Sequence, residues 1–172
     1  SIRDEFRLET LFDLKKKGSL IGIDLQGFIR TRDSKNVLIN SLWEQKEEAL
    51  GLTHYLKADG VEAEFLTGES DLVSAAKILK SYGPKEVIIT HKDGVLVYAN
   101  NQIFEEPFKL EKIIGRSGRG DTCGASYVYM RLTSGPGEST KWAAAATSLK
   151  MESDTPLKRT KHEIEDKVNE YK

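Results

Sequence analysis

The residues best suited to chemistry lie in one run, Gly115-Arg116-Ser117-Gly118-Arg119-Gly120-Asp121-Thr122-Cys123-Gly124-Ala125-Ser126. Glycine accepts positive φ and close backbone approach, so Gly118, Arg119 and Gly120 can turn successive amides toward one point. A helical pattern begins at Asp121, and the positive end of such a helix faces the same point. An anion fits there, most naturally a phosphate. The phosphate loop G-x-x-x-x-G-K-[ST] is matched by Gly115, Gly120 and Thr122, but Asp121 stands where the lysine belongs. A carboxylate does not cradle phosphate. Beside an anion nest it can instead take the proton of a hydroxyl that attacks phosphorus. The same residues also read as a plain glycine-rich loop whose aspartate starts a helix.

Other polar residues fall where strands are expected to end. Asp24 follows the first, Asp59 and Glu62 the second, and Thr90, His91 and Lys92 the third. In parallel sheets, ligands gather beyond the carboxyl ends of the strands. Carboxylates such as Asp59 and Glu62 repel a phosphate unless a cation, usually Mg²⁺ with its waters, comes between. Asp59-x-x-Glu62 is also the form of an ordinary helix start. His54, His91 and His162 are too scattered for metal-ligand spacing. Cys123 has no His/Asp set to make it a nucleophile. Arg119-Gly120-Asp121 spells an adhesion tripeptide, which in a chain without secretory features is chance.

The elements that position these residues follow from periodicity. Helices are expected over residues 5–17, from Leu42 to about Leu50 (capped by Ser41 and Glu44), from Val61 to Leu66, and from Asp71 to Tyr82. Strands are expected over Ser19–Asp24, Thr53–Lys57 and Lys85–Thr90, with Asp24–Arg30 as a polar loop. Val95–Tyr98 and Gln102–Phe104 flank Asn100-Asn101 as a hairpin. Three helices close the chain: Asp121–Leu132, one through Trp142 and Ala143–Ala146 to Met151, and one opened by a Thr160/Glu163 capping box. Strands alternating with helices make an α/β layer fold with a largely parallel sheet, a single domain over residues 1–172.

Composition narrows the function. Charged residues make up 31% of the 172, yet the net charge is −1, so no basic excess argues for nucleic acid. Apolar runs reach about five residues, far short of a membrane span. One cysteine makes no internal disulfide. A cytoplasmic protein is expected, and the start at Ser1 suggests an incomplete or processed chain.

The motifs together resemble the ribokinase-like (pfkB) carbohydrate kinases. Gly118-Arg119-Gly120-Asp121, followed by small residues, is similar to that family's G-x-G-D signature. Leu56 to Gly68 resembles its N-x-x-E segment with a trailing T-G, and Val87 to Val95 its T-x-G-x-x-G nucleotide loop. Leu149-Lys150-Met151-Glu152 resembles the tail of its helix beside the adenine, and Asp24 to Arg30 a segment of several sugar kinases. The resemblance implies a three-layer fold and transfer of the ATP γ-phosphoryl group to a sugar-like hydroxyl. Asp121 would be the base and the backbone of Gly118, Arg119 and Gly120 the anion hole. Asp59 and Glu62 would hold Mg²⁺ through water, and Lys57, Thr90, Lys92 and Gly94 would lie along ATP. Departures from the pattern are Asp59 for the usual asparagine, Arg119 at a usually small position, and a nucleotide loop one residue short that lacks its first glycine. The family's N-terminal strands, sugar-binding signature and lid are missing, so the chain resembles the C-terminal part of such a kinase, inactive alone and possible as a homodimer when complete. The alternative is an inactive nucleotide-binding or regulatory module of the same fold.

Overall fold

The computed structural model describes residues 6–171; Ser1, from which truncation or processing was inferred, lies outside them. The chain runs α1 (Leu8–Lys16), β1 (Gly22–Asp24), α2 (Gln26–Ile29), β2 (Arg30–Arg32), β3 (Leu38–Asn40), α3 (Lys46–Gly51), β4 (Tyr55–Asp59), α4 (Gly60–Thr67), α5 (Leu72–Ser81), β5 (Glu86–Thr90), β6 (Gly94–Ala99), β7 (Gln102–Pro107), α6 (Arg119–Arg131), α7 (Pro136–Met151) and α8 (Lys161–Val168). The main sheet has the order β1-β4-β5-β6-β7, and β2-β3 form a separate pair. β1 lies parallel to β4, with Asp24 opposite Lys57. The fold is α/β with a mainly parallel central sheet, ended by the β6–β7 hairpin. No helix among the described residues is long and apolar enough to cross a membrane.

Two compact units divide the chain: residues up to Ile89 with Tyr98–Asn101, and Thr90–Val97 with Gln102 onward. The first buries Leu25, Ile29, Leu50, Leu56, Leu79 and the apolar run of β5. Its helices start and stop on local chemistry: Asp71 Oδ2 accepts the Ser74 amide at 2.8 Å, and Gly68 ends α4 at φ 79°. In the second unit α6 packs along α7, and α7 along β7 and α8. Ala143–Ala146 are fully buried, their small side chains letting neighbours approach closely. Asn100 and Asn101 take φ of 52° and 59°, the left-handed pair that a tight two-residue hairpin needs. The Thr160/Glu163 capping box forms as expected.

Two expectations fail in the first unit. The stretch expected as a polar loop after Asp24 carries the short helix α2 and then β2, which pairs antiparallel with β3. Asp33 makes the turn, its Oδ1 accepting from the amides of Lys35 (2.8 Å) and Val37 (2.9 Å). Consequently Ser41 is not a helix cap: its hydroxyl donates to the Ile29 carbonyl at 3.1 Å. α3 begins only at Lys46, and Trp43 stacks instead on Phe28, with ring centroids 4.6 Å apart.

Candidate active site

In the second unit the glycine run forms a backbone cradle. Gly118 adopts φ 75°, ψ 9° as the N-cap of α6, a conformation that an L side chain resists. The helix therefore starts two residues before Asp121, not at it. Thr122 N–H closes the first turn on the Gly118 carbonyl at 3.0 Å, and Arg119 N–H turns back to the Arg116 carbonyl at 3.2 Å. Arg119 was expected to offer its amide to an anion, but that amide is engaged. Among the described residues, the amides of Gly118, Gly120 and Asp121 have no protein acceptor, as the opening of a helix dictates. Asp121 is exposed, with no ion pair or hydrogen bond among the described residues. A free carboxylate thus stands in the first turn of a helix whose leading amides are open, and such a helix end favours negative charge.

The Thr90–Gly94 segment is a tight turn. His91 N–H donates to the Gly94 carbonyl at 2.9 Å, and Phe108 N–H to the Asp93 carbonyl at 2.7 Å. Thr90 is buried and Lys92 exposed. A Cβ on Gly94 would lie 2.4 Å from the Glu106 carbonyl oxygen, so this glycine is required by the backbone of β7 whatever it does for a ligand. The His91 ring is pinned locally: its Nδ1 accepts the Asp93 amide at 3.4 Å, and its Nε2 lies 3.6 Å from Glu105.

In the first unit the second carboxylate group forms a capping box. Asp59 Oδ1 accepts from Glu62 N–H and Glu62 Oε2 accepts from Asp59 N–H, both at 2.8 Å. The helix-start reading is therefore satisfied in full, yet the box is not all that Glu62 does. Its side chain is 2% exposed, and Oε1 has no hydrogen-bond partner. Burial pushes its carboxyl above the usual range, opposed by the Asp59 amide and the Lys57 ammonium. Lys57 Nζ lies 2.9 Å from Asp24 Oδ2 and 4.0 Å from Glu62 Oε2, while an Arg30 Nη lies 3.8 Å from Glu62 Oε1. The β1–β4 register makes this cluster, which sequence spacing does not reveal. Lys57, expected along a cofactor, faces Asp24. No group of three or more His, Cys, Asp or Glu side chains among the described residues is placed to hold a metal. A metal that contacts this cluster through its waters remains compatible, because such a water can donate to the orphaned Oε1.

Residues 24–155 match the pfkB family carbohydrate kinases. The chain belongs to that family. A cytidine kinase of Thermococcus kodakarensis is 39% identical over 72 residues, which are 39% of this chain and 25% of that one. A solved pyrophosphate-dependent kinase in the ribokinase family, complexed with a pyrophosphate analog and myo-inositol, is 34% identical with a TM-score of 0.87; the match covers 95% of this pfkB chain and 59% of the other. Arabidopsis thaliana ribokinase complexed with ribose and ATP shares the fold at 17% identity and a TM-score of 0.75, over 94% of this chain and 51% of its own. The pfkB chain thus spans about a quarter of the curated relative and some three fifths of the similar structure, and its architecture is part of a ribokinase-like fold.

Proposed function

We propose that this chain carries the donor and base side of a kinase that phosphorylates a hydroxyl of a sugar or sugar-like polyol. The observation that supports this best is Asp121, without a partner among the described residues, placed three residues after the left-handed Gly118 and beside open amides. The acceptor hydroxyl gives its proton to Asp121 as its oxygen bonds to the terminal phosphorus of the donor. The phosphoanhydride bond breaks, and ADP leaves when the donor is ATP. The amides at the head of α6 take up charge on the transferred phosphoryl group, where positioning and electrostatics do most of the work in a loose transition state. Asp59 and Glu62 would hold Mg²⁺ through water; bound, the ion neutralises phosphate charge. Thr90, Lys92 and Gly94 would line the donor, with Lys57 kept in place by Asp24.

A second donor, inorganic pyrophosphate, is favoured by one feature. The turn from His91 to Gly94 is short and locally bonded where a nucleotide loop is expected, and a pyrophosphate-dependent kinase is among the similar structures. The test supplies the protein with γ-labelled ATP or labelled pyrophosphate and a panel of ribose, myo-inositol and cytidine. Label on a hydroxyl from one donor supports the kinase reading and names the donor. Binding of Mg·ATP without transfer, in a protein completed on its acceptor side, establishes the inactive module instead.

A further inference from the structure

Lys150 is a buried cation to which the reaction above gives no task. It lies in the last turn of α7 and is 2% exposed. An ammonium removed from water is costly unless paired, yet among the described residues no carboxylate oxygen lies within 4.0 Å of it. Its Nζ donates to the Ser153 carbonyl at 3.1 Å, which among the described residues leaves ammonium donors unfilled. The stem shows what they are near: Lys150 Cε is 3.7 Å from where a Cβ would stand on Gly118, the residue that caps α6.

The surroundings hold this arrangement firmly. Ile114 and Gly115 N–H both donate to the Met151 carbonyl, at 2.8 and 3.1 Å. Gly115 is pressed so close to Ser153 that a Cβ would sit 2.7 Å from its carbonyl oxygen. A lysine at the end of α7 complements that helix's own dipole, and this explains the Ser153 bond. It does not explain why the cation is buried beside the opening of α6, the positive end of a second helix. Two positive features converge there; Asp121 stands in the first turn of α6, but among the described residues no carboxylate pairs with the Lys150 ammonium.

We infer that Lys150 is a donor-positioning residue: its ammonium and the open amides at the head of α6 together hold phosphate oxygens of the phosphoanhydride donor. The inference rests on the kinase reading. The chemistry is shared by a nucleoside triphosphate and by inorganic pyrophosphate, and Lys150 exchanges no proton with either. It supplies fixed charge where the donor's negative charge gathers.

Titration calorimetry of the full chain with inorganic pyrophosphate and, separately, with Mg·ATP tests it on wild type, Lys150→Met and Lys150→Gln, with thermal melting as the check on folding. The donor that binds wild type is expected to lose about tenfold in affinity in both variants, the scale of one charge-assisted contact. The salt dependence of binding is expected to become shallower as well. Unchanged affinity in a folded variant overturns the role of Lys150 and leaves the kinase reading standing. If wild type binds neither donor, both fall together. Should both variants fail to fold, the Lys150 ¹³Cε resonance of the wild-type protein decides: a shift on saturation with the donor supports the contact, and an unmoved signal removes it.

Discussion

Asp121 and Gly94 illustrate two ways in which a single residue matters. Asp121 has no partner among the described residues, so Asp121→Asn removes little from the fold and, in the proposed role, removes the base. In a protein completed on its acceptor side, single-turnover transfer should slow by about 10²–10⁴, the scale of a lost acid–base group, while the melting temperature stays near wild type; a near-normal rate excludes Asp121 from the chemistry. Gly94→Ala should instead cost stability directly. Its new Cβ meets the Glu106 carbonyl oxygen at 2.4 Å and the Pro107 Cα at 3.0 Å, backbone that cannot swing aside. The expected cost is about 1–3 kcal/mol in chemical denaturation, and an unchanged midpoint would show that β7 yields. Gly118 and Asp121 are legible in the sequence because both requirements are local. Lys150 is not, since a lysine ending a helix reads as ordinary complement to its dipole until a second helix is seen beside it. The Asp24–Lys57 pair depends in the same way on a strand register that spacing alone does not fix.

Among the elements, β1 and β4 are joined through an imidazole. His54 Nδ1 accepts the Ile21 amide at 3.0 Å, and the His54 amide donates to the Ile21 carbonyl at 2.7 Å. Burial, with Lys15 and Lys85 nearby, lowers the His54 pKa below its ordinary value of about 6.5. The unfolded chain therefore binds a proton more readily, and stability rises with pH across that window. The contribution is complete above about 6.5 and is lost as pH falls from there through the folded value. Urea midpoints should drop on acidification from pH 7.5 to 5.5, and by less in His54→Asn, which keeps an acceptor but does not titrate. Parallel pH profiles for the two proteins would refute this. The long helices, β5 and the Asn100-Asn101 hairpin were readable because each repeats its pattern over enough residues or carries a specific turn. β2 and β3 were not: Arg30-Thr31-Arg32 and Leu38-Ile39-Asn40 are too short to show alternation. Ser41 and Glu44 have capping-box spacing, but the Ser41 hydroxyl is taken by a carbonyl of the preceding segment.

Across the whole molecule the apolar residues left in water are informative. Leu20, Val37, Leu38, Ile39 and Leu42 are 42–77% exposed, around an edge strand and a two-stranded ribbon of the kind that seeks further pairing. Sedimentation velocity should show concentration-dependent association, relieved by Ile39→Lys with Leu42→Glu; a monomer at all concentrations would mean this surface is tolerated in solution. Cys123, the single cysteine of the sequence, is fully buried in the second turn of α6. A thiol reagent can reach it only when that helix lifts from its neighbours. Its labelling rate is thus a built-in clock for excursions of the segment bearing Asp121, and any anion gripped at the helix head should make that clock run slow.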